Sequence, residues 1–96
     1  MSRPRLCRRV QCEPFVTYFK PKGIPLRKLE EVVLTVDEFE AVRLKDLQGM
    51  EQEECSRKMN ISQPTFHRLI ISARKKIAEA LINGKAIQIN GGNYKV

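Results

Sequence analysis

Apolar residues recur at helical spacing through the second half of the chain and lose that order in its first quarter. Val36, Phe39, Val42 and Leu47 predict an amphipathic helix. Thr35 opens it, Glu38 completes a capping-box pattern three residues on, Asp37 adds negative charge at the positive end of the dipole, and Gly49 marks the end. A second helix is predicted over about Glu51 to Met59, burying Cys55, Ser56 and Met59. Asn60 then supplies a residue that tolerates left-handed backbone. Ser62 is a good N-cap for a third helix, with Pro64 in its first turn. Phe66, Leu69, Ile70, Ala73, Ile77, Ala80 and Leu81 put one apolar stripe along that helix, which should end near Asn83-Gly84.

The flanks read differently. Pro4, Pro14, Pro21 and Pro25 keep the first 25 residues out of regular helix. Val10 and Cys12 alternate with Arg9, Gln11 and Glu13 as a short strand would, and Phe15, Tyr18 and Phe19 offer aromatic surface to pin the arm to the body. A short helical turn is expected from Leu26 to about Glu31. Beyond the third helix, Ala86, Ile87 and Ile89 around Gln88 suggest a strand that could pair with the one near Val10, and Asn90 to Val96 read as frayed. The expected fold is therefore all-α: a tri-helical helix-turn-helix core with an extended basic N-terminal arm and a short C-terminal strand. Its parts are a proline-containing arm with loops over 1–34, a helix-turn-helix domain over 35–84, and a strand with a frayed tail over 85–96.

Charge gives this layout a direction. The 96 residues carry a formal net charge of +7. Residues 1–34 hold eight basic and three acidic side chains, 35–62 hold four and seven, and 63–96 hold six and one. Two basic ends around an acidic middle suit a polyanionic partner better than charge mixed for solubility. No apolar run approaches the ~20 residues of a membrane span, and no apolar stretch follows the N-terminal charges, so a soluble, cytoplasmic protein is expected. Three cysteines, at 7, 12 and 55, imply no disulfide framework.

Two short helices joined by a three-residue turn, the second basic on one face, make the helix-turn-helix arrangement. Counted from Gln52, small Ser56 is fifth where helices cross, Asn60 is ninth in the turn, and Ile61 anchors the turn. Cys55, Met59, Phe66 and Leu69 fill buried positions, leaving Gln63, Pro64, His67, Arg68 and Ile71 on the outer face. Gln63, Pro64, His67 and Arg68 are the candidate base readers in a major groove. Ser62, Thr65, Arg74, Lys75 and Lys76 are the candidate phosphate contacts. Arg3, Arg5, Arg8 and Arg9 form a candidate DNA-binding arm, and Arg3-Pro4-Arg5 resembles the arms that enter an A·T-rich minor groove, with a tail contacting phosphates alone as the other reading.

Several stretches together resemble a small bacterial and archaeal family of proteins thought to bind DNA through a helix-turn-helix like region 4 of sigma-70 factors. They are Arg3-Pro4-Arg5 with Arg8-Arg9-Val10, Phe19-Lys20-Pro21 with Gly23-Ile24-Pro25, Leu34 through Ala41, Gln52-Glu53-Glu54, Ser62 with Thr65-Phe66, Ser72 through Lys76, and Asn83 through Ala86 before Gly91-Gly92. The resemblance implies a DNA-binding fold and a role in transcription regulation. The chain departs from the family's pattern at Cys55 and Ser56, where alanines are usual, at Asn60, where glycine is, and at Gln63-Pro64, where Arg-Gln is.

Other chemistry is poorly supported. Cys7, Cys12, Cys55 and His67 are the residue types of a zinc set, but Cys55 falls on the buried side of its helix and His67 on the outer side, so no metal is expected. Cys7 and Cys12 beside Arg8 and Arg9 form a candidate redox pair. His67 has no acidic neighbour within a turn and no phosphate-cradling glycine loop is present, so neither catalysis nor a cofactor is expected. The expected partner is double-stranded DNA, bound by a monomer or by a homodimer on two half-sites. The competing expectation is a protein-interaction module that docks on RNA polymerase or another partner through its acidic helices.

Overall fold

A computed structural model describes residues 7–96. The expected helices begin at their caps. At the start of α1 (Val36–Val42), the Thr35 hydroxyl accepts the Glu38 amide at 3.3 Å and Glu38 Oε1 accepts the Thr35 amide at 2.9 Å, closing both halves of the capping box. The helix continues into a π-helical stretch, Arg43–Leu47, before Gly49 reverses the chain at φ 71°. A π turn holds more residues than an α turn, so spacing of 3.6 stops indicating the inner side. Leu47, placed on the apolar stripe by its spacing, is instead 79% exposed.

Helix α2 (Gln52–Met59) ends at Asn60, whose φ of 59° and ψ of 46° are left-handed. The turn is closed by the Ile61 amide donating to the Ser56 carbonyl at 3.0 Å. Ser62 then caps α3 (Gln63–Asn83), with Pro64 in the first turn where a missing amide hydrogen costs no helical bond, and Gly84 ends it at φ 67°. The 21 residues of α3 extend ~31 Å at 1.5 Å per residue. Its stripe is buried at Phe66, Ile70, Ala73 and Ala80, but Leu81 is 74% exposed.

The all-α expectation is overturned by two small sheets, which make the fold mixed α/β. Strand β1 (Arg8–Arg9) lies parallel to β5 (Tyr94–Lys95). A second sheet has the order β2 (Tyr18–Phe19), β4 (Ala86–Ile89), β3 (Glu31–Leu34). β4 runs parallel to β3 with Leu34 beside Ile89, and antiparallel to β2 with Phe19 beside Ile87. The turn expected over Leu26 to Glu31 shrinks to a 3-10 turn at Leu26–Lys28, and the alternation Glu31 out, Val32 in, Val33 out, Leu34 in makes β3.

β4 therefore pairs with β3 and β2, not with the residues near Val10, and the tail expected to fray supplies the partner of β1. The segment between those strands crosses α1, where the Val36 amide donates to the Gly91 carbonyl at 3.0 Å. Phe15, expected to pin the arm, is 101% exposed, whereas Tyr18 and Phe19 are tied down as strand β2.

Two apolar clusters meet along α1. Ala41, Leu44, Cys55, Met59, Phe66 and Ile70 join the three helices. Val10, Leu34, Val36, Ala73 and Ile89 join the sheets to α1 and α3, and Val42 packs on both clusters. Burying Val10 in this core fixes the root of the basic arm to the helices. No helix among the described residues is long and apolar enough to cross a membrane.

Candidate nucleic-acid interface

α2 and the turn at Asn60 set the pose of α3. Cys55, Ser56 and Met59 are buried beneath α2. The Ser56 hydroxyl donates to the Glu53 carbonyl at 2.8 Å, so its small side chain brings no unpaired polar atom into the crossing. Gln52 Nε2 donates to the Gln63 carbonyl at 3.3 Å, joining the start of α2 to the start of α3. Packing Phe66 and Ile70 inward turns Gln63, Pro64, His67, Arg68 and Ile71 outward, and all five are exposed.

Near the N-terminus of α3, short side chains support one another. Ser62 Oγ accepts the Thr65 amide at 3.3 Å and its hydroxyl donates to Thr65 Oγ1 at 2.9 Å. Thr65 Oγ1 also accepts from Arg68 Nη2 at 3.3 Å. Arg68 thus rests along the first turn with no carboxylate on its guanidinium among the described residues, and His67 stands beside it in solvent.

The three basic residues further along α3 divide. Arg74 is clamped by Asp46, with Nη2 to Oδ1 at 2.6 Å and Nε to Oδ2 at 3.1 Å. The Arg74 guanidinium holds the Asp46 carboxyl below its ordinary range, although both side chains remain substantially exposed. Lys76 donates to Glu38 Oε1 at 2.7 Å. Lys75 is exposed and has no salt-bridge partner among the described residues.

Glu38 is the hub of this arrangement. It is buried, accepts the Thr35 amide on one side and Lys76 on the same oxygen, and takes the Ser72 hydroxyl on the other oxygen at 2.5 Å. Burial by itself would raise its carboxyl, but the Lys76 ammonium, the Ser72 hydroxyl and the Thr35 amide together hold it below the usual value. One carboxylate thereby caps α1 and fixes the middle of α3.

The arm meets α3 at the same place. Arg8 Nε lies 3.5 Å from the buried Asp37 carboxylate, and Arg8 shares an open cleft with Glu38, Thr65, Arg68, Leu69 and Ser72. Arg9 on the same strand is exposed. Arg3 and Arg5 lie outside the described residues. Among the described residues Asp37 Oδ1 and Arg8 Nε find no hydrogen-bond partner, and the Asp37 oxygen is covered by Gly92, whose φ of 96° and missing side chain permit that approach.

Sequence reasoning missed that Lys76 is held by Glu38, that Ser72 completes the hub, and that Arg8 is anchored by Asp37. Glu38 does carry a sequence signal, its position in the capping box. Ser72 and Lys76 carry none, because they meet it from 34 and 38 residues away. Among the described residues no three His, Cys, Asp or Glu side chains cluster to hold a metal; Cys55 is buried while Cys7 and Cys12 are exposed.

Comparison with known proteins places this architecture. All 96 residues match the model of a family described as protein of unknown function DUF134. A UPF0251 protein of Caldanaerobacter subterraneus subsp. tengcongensis is 67% identical over the whole chain, which covers 81% of that relative. A UPF0251 protein of Thermoanaerobacter pseudethanolicus is 62% identical over the same span, with 81% of it covered, and one of Pelotomaculum thermopropionicum is 60% identical, with 73% covered. No solved structure matches the chain.

Proposed function

The chain belongs to the DUF134 family, and on that premise we propose that it is a double-stranded DNA-binding protein whose α2 and α3 work as a helix-turn-helix like that of sigma-70 region 4, regulating transcription. One observation carries the reading. The outward side of the first turns of α3 presents Gln63, Pro64, His67 and Arg68 together, none paired with a carboxylate among the described residues, and at Arg68 it adjoins the cleft that the arm root Arg8 lines with Glu38. Such a face can enter a major groove while the arm follows the adjoining backbone.

The side chains divide the work by reach and by what else holds them. Gln63 and Arg68 carry paired polar atoms suited to base edges, Arg68 to guanine and Gln63 to adenine, and His67 adds a third polar contact. Ser62 and Thr65, at a helix N-terminus, suit a phosphate oxygen, as does Lys75 farther along. Arg74 can exchange Asp46 for a phosphate at small cost because that pair is half in water. Lys76 is occupied by Glu38 and acts by holding α3 in place. Arg3 and Arg5 extend the same contact through the arm.

Docking on RNA polymerase through acidic helices is supported by one feature, the exposed Glu51, Glu53 and Glu54 around the start of α2. Duplex binding measured between about 50 and 200 mM salt separates the readings. A log–log slope of roughly −4, shrinking by about 1 in Arg68→Ala/Lys75→Ala with a further loss of affinity, is expected for DNA binding by α3. Binding without salt dependence, or unchanged by those substitutions, overturns it.

A further inference from the structure

A cleft lies away from the outer face of α3, and positive charge collects in it. Strand β1, α1 with its π-helical extension, and the end of α2 enclose about 500 Å³. That falls within the roughly 300–1,000 Å³ typical of small-ligand sites. Val10 and Leu44, both buried, and the exposed Val96 are the apolar residues of its described lining, and Arg9, Arg43, Arg57 and Lys58 bring the positive charge. None of Gln63, Pro64, His67 or Arg68 reaches it.

Among the described residues Glu40 is the one acidic side chain in the lining, and it is fully engaged. Its two oxygens take Arg43 Nε at 2.7 Å and Nη2 at 2.9 Å, and Oε2 also takes the Gln11 amide at 3.1 Å. Gln11 Oε1 accepts from the same Arg43 Nη2 at 2.8 Å, so Arg43 is held rigidly at the wall. Three cations are left with little compensation. Arg9 and Lys58 have no salt-bridge partner among the described residues, and Arg57 reaches Glu53 only at 3.5 Å with both side chains largely in water. Basic residues in the last turn of α2 complement its dipole, which accounts for Arg57 and Lys58 on that helix. It does not account for Arg9 arriving from another element to face them across a concave, partly apolar space.

We propose that this cleft is a second anion site, for a small ligand carrying two or more linked phosphate groups. Like-charged groups around a concavity focus the field inside it, and arginine forks match phosphate oxygens. Two linked phosphates offer one anion to Arg9 on β1 and another to Arg57 and Lys58 on α2. Among the described residues no aromatic side chain lines the cleft to stack on a base, so the phosphates themselves carry recognition.

The test is calorimetric titration of inorganic pyrophosphate into the whole chain at about 50 mM salt, with orthophosphate beside it. One site is expected, binding pyrophosphate at least tenfold more tightly than orthophosphate. Arg57→Gln/Lys58→Gln should weaken pyrophosphate at least tenfold, and Arg68→Gln/Lys75→Gln less than twofold. All four side chains are exposed, and a thermal melt verifies that each variant is folded. Equal pyrophosphate affinity in the two variants overturns the proposal. So does a loss of about two units of DNA salt slope in Arg57→Gln/Lys58→Gln with pyrophosphate binding unchanged, which makes the pair a DNA-backbone contact. Absence of duplex binding by the unsubstituted chain, with the pyrophosphate pattern intact, counts against α3 as the DNA reader and leaves this second site standing.

Discussion

Asp37, Glu38 and Glu40 on α1 are each no more than 5% exposed, whereas Glu51, Glu53 and Glu54 around the start of α2 face solvent. Both are acid-rich helix starts that complement a dipole. The α1 carboxylates also hold three parts of the molecule together: Asp37 faces Arg8 of the arm, Glu38 ties Ser72 and Lys76 of α3, and Glu40 ties Arg43 and the Gln11 amide. Those of α2 hold only a loose pair between Glu53 and Arg57. Identical chemistry thus serves assembly in one helix and surface potential in the other, and burial decides which. Each substitution below asks whether that division holds.

The largest effect is expected at Glu38. Glu38→Ala removes half of the capping box and leaves Lys76 and Ser72 without their acceptor, a combined loss of about 3 kcal/mol. Urea unfolding measures it, and a loss below about 1 kcal/mol would place Glu38 with the surface acids. The pH dependence follows from the lowered carboxyl. Its stabilisation is fully present above the unfolded-state value and is lost as pH falls through the lower folded-state value, so urea midpoints should drop below about pH 4.5. Glu38→Gln should flatten that part of the curve.

Next comes the glycine that covers Asp37. A Cβ at Gly92 would stand within contact distance of Asp37 Oδ1 and 2.9 Å from Thr35 Cβ, on a backbone at φ 96°. Gly92→Ala should cost about 2 kcal/mol, through strain and through displacement of the tail that carries β5. Gly91→Ala has a left-handed φ but open space, and should cost about 1 kcal/mol. Equal losses at the two positions would mean that the Asp37 contact contributes nothing.

How much of this was legible follows the distance over which residues act. Caps and turns are local, so Thr35 with Glu38, Asn60, Ser62 with Pro64, and Gly84 could all be read from neighbours in the chain. Sheet partners are not: Leu34 pairs with Ile89 and Arg8 with Tyr94, and two-residue strands carry too little alternation to announce themselves. The all-α expectation failed for that reason, and Leu47 failed because a π turn breaks the helical period. The outward placement of Gln63, His67 and Arg68 was readable, since the buried stripe of α3 dictates its opposite face. That Lys75 and Lys76 would part company was not, since Glu38 meets Lys76 only through folding.

Those two lysines give the next test. Lys76→Gln should destabilise by about 1 kcal/mol and leave the DNA salt slope unchanged, whereas Lys75→Gln should leave stability within about 0.5 kcal/mol and reduce the slope by about 0.9. The opposite pattern would make Glu38 a surface partner and Lys76 the phosphate contact. Asp46→Asn frees Arg74 from its clamp and should tighten duplex binding two- to threefold, read by fluorescence anisotropy.

The smallest effect on the folded state belongs to the exposed acids of α2. Substituting Glu51, Glu53 and Glu54 by glutamine removes three negative charges from the solvent side and no buried contact. Stability should change by no more than about 0.5 kcal/mol, mostly through weaker dipole complementation. If α3 binds DNA, the same change reduces repulsion from phosphate, and duplex affinity should rise several-fold at 50 mM salt and scarcely at 200 mM, where the Debye length is under 10 Å. If these acids instead meet a basic partner protein, DNA binding is not their function and the triple variant loses that partner while keeping its fold. Anisotropy at the two salt concentrations, beside pull-down with RNA polymerase, distinguishes the outcomes. Either way the two acidic helix starts would be separated by experiment, one by what it holds inside the molecule and the other by what it repels or attracts outside it.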